Sequence, residues 1–161
     1  MKSFLAISCV FICFTTIFAF PKNDTQLRSH TFKLGEKSYL IDFHEITFNE
    51  AVEFCKNNNL QLVSIESAAE NDKISEQLRS MGSLYTALWT SGTRLAASSQ
   101  WIWLSTNNAI TTFFWNNPPD YKHDNEYCLA IFPETYNAVN YWLNEDCTVI
   151  NYPLCQSVPS N

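Results

Sequence analysis

The chain has 161 residues, with 10 Lys and Arg against 16 Asp and Glu and a net charge of −6. That length is enough to bury one core and too little for two ordinary domains. Hydrophobic residues make up 46% and aromatic residues 15%, with only 3 Gly and 6 Pro, which excludes a disordered or fibrous chain, and the acidic balance excludes nucleic acid or an anionic membrane as the natural partner.

The first 19 residues carry one early cation, Lys2, followed by an apolar run from Phe4 to Phe20 with the small Ala19 at a plausible cleavage point. They read as a signal peptide. A membrane anchor fits less well, because the run falls short of the roughly 20 residues that a spanning helix needs and Pro21-Lys22-Asn23-Asp24 is no basic stop-transfer flank. The mature protein is therefore expected to be secreted and extracellular, without membrane insertion, and removal of Lys2 takes its net charge to −7. Residues 20–32 read as a polar lead. They contain the acceptor sequon Asn23-Asp24-Thr25, which makes Asn23 the expected glycosylation site.

Residues 33–157 read as one domain. Lys37 to Phe43 has the aromatic and β-branched content of a strand. Thr47-Phe48-Asn49-Glu50 is a capping box, and Phe48, Ala51, Val52 and Cys55 follow at helical spacing until Asn57-Asn58-Asn59 ends the helix. Leu60 to Ile65 alternates as a strand. Ser67-Ala68-Ala69-Glu70 is a second capping box, opening a helix that runs to about Met81, with Ile74 and Leu78 facing inward and Gly82 as its stop. Short strands are expected at Tyr85–Thr90, Trp101–Leu104, Glu126–Phe132, Asn140–Leu143 and Asn151–Gln156, with Ser91 to Gln100 a polar connection. Two early helices and several late strands give an α+β domain. The five Trp residues, Trp89, Trp101, Trp103, Trp115 and Trp142, are expected in its core.

Cys9 and Cys13 lie in the leader, so four cysteines of the six remain: Cys55, Cys128, Cys147 and Cys155. An even number in an oxidising compartment implies two disulfides, and sequence alone leaves three pairings open. Zinc is disfavoured because no pair has C-x-x-C spacing.

The order of these pieces resembles the short form of the C-type lectin domain. The resemblance is carried by Phe48 to Cys55, Leu62 to Ser67, Leu88-Trp89-Thr90-Ser91-Gly92 in place of the family's Trp-Ile-Gly-Leu strand, Trp101-Ile102-Trp103, Phe114-Trp115, Glu126-Tyr127-Cys128 and Trp142 to Cys147. It implies that fold, with small antiparallel sheets, a long irregular binding loop, and disulfides Cys55–Cys155 and Cys128–Cys147. It also implies a carbohydrate-binding protein whose partners are glycans or glycoproteins.

In sugar-binding members of the family one Ca²⁺ is held by five residues: two from a Glu-Pro-Asn or Gln-Pro-Asp triplet, a Glu near the following cysteine, and an Asn-Asp pair after a Trp. Calcium takes six to eight oxygens, and the sugar completes its shell. The corresponding positions here are Pro118-Pro119-Asp120, Glu126 and Leu143-Asn144. Asp120, Glu126 and Asn144 keep an oxygen and form the expected sugar and calcium set, of the galactose type; Pro118 and Leu143 do not, and Asn144 is neutral where the family has a carboxylate. Asp124, Asn125, Glu145 and Asp146 lie beside these positions. Tyr121 and His123 are the expected stacking rings, and Pro119 is where the family places a cis bond. A calcium-independent domain that binds a protein through the same loops is the alternative.

Catalysis is not expected. His30, His44 and His123 lie in no recognisable catalytic motif and read as surface or structural residues, and the Asp124 and Glu126 pair says nothing by itself about separation in space. The sequence leaves the oligomeric state unassigned.

Overall fold

A computed structural model describes residues 29–82, 86–94, 100–115, 127–133 and 140–158. Its elements run β1 (Ser29–Leu34), β2 (Lys37–Asp42), α1 (Phe48–Asn57), β3 (Leu60–Leu62), α2 (Ala68–Ser80), β4 (Leu88–Arg94), β5 (Trp101–Trp103), β6 (Asn108–Ala109), β7 (Cys128–Pro133), β8 (Asn140–Glu145) and β9 (Tyr152–Ser157). The expected leader, most of the polar lead and Asn23 fall outside the described residues.

The last residues of the polar lead are not a lead. Ser29 to Leu34 pairs antiparallel with β2 in register Ser29↔Asp42 to Leu34↔Lys37, across a two-residue turn at Gly35-Glu36 where Gly35 takes φ 62°. Phe32 stacks on Tyr39 at 4.9 Å between ring centroids, so a stretch that looks polar in sequence gains its place from cross-strand packing in a hairpin.

Strand β9 is the organising element. It pairs antiparallel with β2 and β3 and parallel with β4; β4 in turn pairs with β5 and β7, and β7 with β8. Two core clusters result. One gathers Ile41, Ile65, Ile74, Leu78, Trp101, Trp103, Leu129 and Trp142 against α2; the other gathers Phe48, Ala51, Cys55, Trp89, Ala130 and Cys155 beneath α1. Trp89, Trp101, Trp103 and Trp142 are buried, whereas Trp115 is half-buried against the first cluster.

Both disulfides take the pairing that the resemblance implies. Cys55–Cys155 ties α1 to β9 across 100 residues, and Cys128–Cys147 closes 19 residues between β7 and the end of β8. In the loop-entropy account these closures stabilise by about 4.7 and about 3 kcal/mol.

Helix α1 begins as its sequence dictates. The Thr47 hydroxyl accepts from the Glu50 amide, and the Glu50 carboxylate accepts from the Thr47 hydroxyl at 2.7 Å and from the Thr47 amide at 2.8 Å; these last two bonds, the hydroxyl one first, hold the Glu50 carboxyl below its usual range. The helix ends at Asn58, with Asn59 left-handed at φ 57°.

The second box is only half made. Ser67 Oγ accepts from the Glu70 amide, but the Glu70 carboxylate does not return to Ser67. It accepts instead from Lys37 Nζ at 2.7 Å, Tyr39 Oη at 2.8 Å and the Glu66 amide at 3.1 Å, partners that local spacing cannot reveal. Burial first, then the hydrogen bond and charge of Glu70, push the Tyr39 hydroxyl above the usual phenol range.

Strand β4 runs on through Ser91 to Arg94, into the stretch expected to be a polar connection. Its polar side chains are satisfied by neighbours: Thr90 Oγ1 donates to the Leu129 carbonyl and Ser91 Oγ pairs with Ser105 Oγ, both at 2.8 Å. The expected strand at residues 60–65 shortens to β3, and β6 is an addition.

Candidate functional site

The stretch from residue 116 to residue 126 holds most of the expected ligand set. Pro118, Pro119, Asp120, Tyr121, His123, Asp124, Asn125 and Glu126 lie outside the described residues. What the structure describes is the frame on which that stretch is mounted, and strand β8 beside it.

The chain enters through Phe113-Phe114-Trp115. Trp142 holds this entry to β8: its amide donates to the Phe114 carbonyl at 2.9 Å, and Trp115 and Trp142 form an isolated parallel bridge. Its indole also packs edge-on against Trp103, Phe113, Phe114 and Trp115. Phe113 stacks on Trp115 at 5.1 Å and is 36% exposed. This ring is not legible in the sequence, because the Thr111-Thr112-Phe113-Phe114-Trp115 run has no periodicity to separate the outward ring from the inward ones.

The chain leaves through Tyr127. Its carbonyl accepts from the Arg94 amide at 2.8 Å and from Thr93 Oγ1 at 2.9 Å, and the Arg94 guanidinium sits 4.7 Å from the centre of its ring. The next residue, Cys128, is bridged to Cys147. Entry, exit and β8 are thus fastened together by one tryptophan, one arginine and one disulfide.

Along β8 the side chains alternate. Trp142 belongs to the core against α2, whereas Leu143 packs against the cluster beneath α1. Asn144 is half-buried and pairs in register with Leu129, on the strand that leads back to Cys128. Beyond it, Asp146 Oδ1 accepts from the Thr148 amide at 2.8 Å and from Thr148 Oγ1 at 2.7 Å, and these bonds, the backbone one first, hold the Asp146 carboxyl below its ordinary range.

The β8 half of the set does not fit a family-type calcium shell. Leu143 offers no oxygen and is committed to packing, and Asn144 brings one neutral amide oxygen where a carboxylate would supply charge. Among the described residues no group of three or more His, Cys, Asp or Glu is placed to hold a metal. Neither His30 nor His44 joins the site; His44 Nδ1 lies 2.7 Å from Asp42 Oδ1, near the start of α1.

The family model for the lectin C-type domain matches residues 44–157. The chain belongs to the C-type lectin domain family. Among curated relatives it is 30% identical over 155 residues to lectin subunit alpha of Sarcophaga peregrina, covering 91% of this chain and 52% of that protein. The chain thus spans about half the length of that relative, and only 21% of the rabbit (Oryctolagus cuniculus) E-selectin to which it is 28% identical over 121 residues, 73% of this chain. Of solved structures, the mouse scavenger receptor C-type lectin carbohydrate-recognition domain superposes with a TM-score of 0.67 at 21% identity, covering 82% of this chain and 96% of that one. That likeness establishes the fold: two helices, a mixed sheet and two bridges.

Proposed function

We propose that the chain is a secreted lectin that recognises galactose-type glycans or glycoproteins at the stretch from residue 116 to residue 126 together with the neighbouring strand β8. Asp120, Glu126 and Asn144 supply its polar contacts, and Tyr121 and His123 its stacking rings. The observation that carries this reading is Asn144, held on β8 opposite Leu129, two residues past the tryptophan that fastens the entry of the stretch and three before Cys147, whose bridge to Cys128 fastens its exit. The name of the Sarcophaga relative, a lectin subunit, points the same way. Secretion after cleavage near residue 19, a domain that runs to residue 157 and takes in β1 from Ser29, and glycosylation at Asn23 belong to the same proposal. Among the described residues no helix is long and apolar enough to cross a membrane.

Calcium assistance is the finer part of the proposal. It requires the carboxylates of Asp120 and Glu126 to meet Asn144, because β8 adds no further ligand at Leu143. The packing of Leu143 favours the second reading, a calcium-independent domain that binds a protein through the same surface.

Thermal stability and binding to a glycan panel, each measured in millimolar Ca²⁺ and again in chelator, separate these readings. An ion that binds only the folded chain at 100 times its Kd stabilises by about 2.7 kcal/mol, a rise of several degrees in Tm. Galactose-terminated glycans lost on chelation, together with that shift, are the expected result. Equal melting points with glycan binding that survives chelation remove calcium and keep the lectin; no glycan bound in either condition overturns the lectin reading.

A further inference from the structure

Asn71 lies on α2, far in sequence from every residue of the binding stretch, yet only 1% of its surface is exposed. Its Oδ1 accepts from the indole Nε1 of Trp142 at 3.0 Å, across 71 residues of sequence. Trp142 is fully buried, so no water can replace this acceptor, and a buried indole N–H without a partner is costly. The inward stripe of α2, which holds Asn71, Ile74, Ser75 and Leu78, is otherwise apolar except for Ser75, whose hydroxyl is spent on the Asn71 carbonyl.

Trp142 is also the residue that fastens the site. Its backbone amide holds the Phe114 carbonyl, it bridges to Trp115, and its side chain meets the rings of Phe113, Phe114 and Trp115 before residue 116. In the same strand it precedes Leu143 and Asn144, and the strand runs on to the Cys128–Cys147 bridge. The rotation of this indole therefore sets where the entry segment lies relative to Asn144.

We propose that Asn71 is a positioning residue of the ligand site. By fixing the Trp142 indole from α2, it sets the separation between the Phe113–Trp115 segment and Asn144, and so presents the stretch between them. Its effect on ligand binding rests on the glycan reading above; its effect on the frame does not.

The test compares the wild type with Asn71→Leu, which keeps the size and removes the acceptor, and Asn71→Asp, which retains an oxygen for the indole. Amide hydrogen exchange is read at Phe114, Trp115 and Trp142 to Glu145, with β1 and β2 as internal reference, beside binding to galactose-terminated glycans. For Asn71→Leu the expected result is exchange at least tenfold faster at those positions with the reference unchanged, and glycan binding weakened at least tenfold. Asn71→Asp is expected to recover most of both. Exchange that rises equally across the whole chain, or not at all, overturns the proposal, as does an Asn71→Asp protein no better than Asn71→Leu across pH 5 to 8. Should Asn71→Leu fail to fold, Asn71→Ser is read by the same criteria. A wild type that binds no glycan sinks the lectin reading, while the exchange comparison still decides the role of Asn71.

Discussion

Gly92 in β4 has no room for a side chain. A Cβ built there would lie 2.5 Å from Leu129 Cδ2 and 2.6 Å from Leu129 Cβ, against the ~3.5–4.0 Å of an ordinary carbon contact. A rotation about the Leu129 side chain could relieve the first clash. It cannot relieve the second, because Cβ is fixed to the backbone of β7. Strands β4 and β7 would have to part by about 1 Å, just where Trp89↔Ala130 and Thr93↔Cys128 set their register and Thr90, Ser91 and Gly92 together face the single residue Leu129. The 2.8 Å bond from Thr90 Oγ1 to the Leu129 carbonyl would stretch past hydrogen-bonding range. Overpacking costs of ~1–3 kcal/mol and a lost buried hydrogen bond of ~1 kcal/mol give about 3 kcal/mol for Gly92→Ala. With a urea slope of ~1–3 kcal/mol/M, the midpoint should fall by about 1 M or more. Adding Leu129→Ala should not restore it, since alanine keeps the offending Cβ and adds a core truncation of ~2–5 kcal/mol. A Gly92→Ala midpoint equal to the wild type, or a rescue by Leu129→Ala, would refute a backbone-level clash.

Two further predictions concern charge. Glu70→Gln leaves Lys37, Tyr39 and the Glu66 amide competing for one neutral oxygen, and should cost about 1–2 kcal/mol in urea unfolding, a modest figure because the Lys37 side chain is 36% exposed; an unchanged midpoint would show that the network adds nothing. Asp146 has a folded-state pKa below its unfolded one, so the stability it contributes is complete above the unfolded value of ~3.9 and is lost as pH falls through the lower folded value. Wild type should therefore lose more stability than Asp146→Asn on acidification below about pH 4.5, and parallel urea midpoints for the two proteins across that range would rule the effect out.

What the sequence made legible follows the range of the interaction. The start of α1 needs only Thr47 and Glu50, three residues apart, and it forms as expected. The same pattern at Ser67 and Glu70 goes half unfulfilled because the carboxylate is turned instead to Lys37 and Tyr39, brought over by β2, and to the Glu66 amide. Ser91 to Arg94 looks like a connection until β5 and β7 lie on either side of it. Asn71 could be placed on the inward stripe of α2 by its spacing from Ile74, Ser75 and Leu78, but nothing local announces that its partner is Trp142.

The candidate site divides along the same line. Leu143 declares from sequence that it can donate no oxygen, and the fold supplies the reason that a leucine stands there: it packs against the core beneath α1. Successive side chains of a strand leave on opposite faces, so this commitment constrains Asn144 as well. With Trp142 turned to the core against α2 and Leu143 to the other cluster, Asn144 falls on the Trp142 side, the side that meets the entry of the binding stretch. An amide at position 143 would have to give up that packing before it could reach a ligand. The loss of one family oxygen and the placement of the remaining one are thus a single consequence of how β8 is packed. The proposed recognition is therefore built around Asn144, on a frame in which Trp142, Arg94 and the Cys128–Cys147 bridge fasten Phe114–Trp115 and Tyr127 to β8.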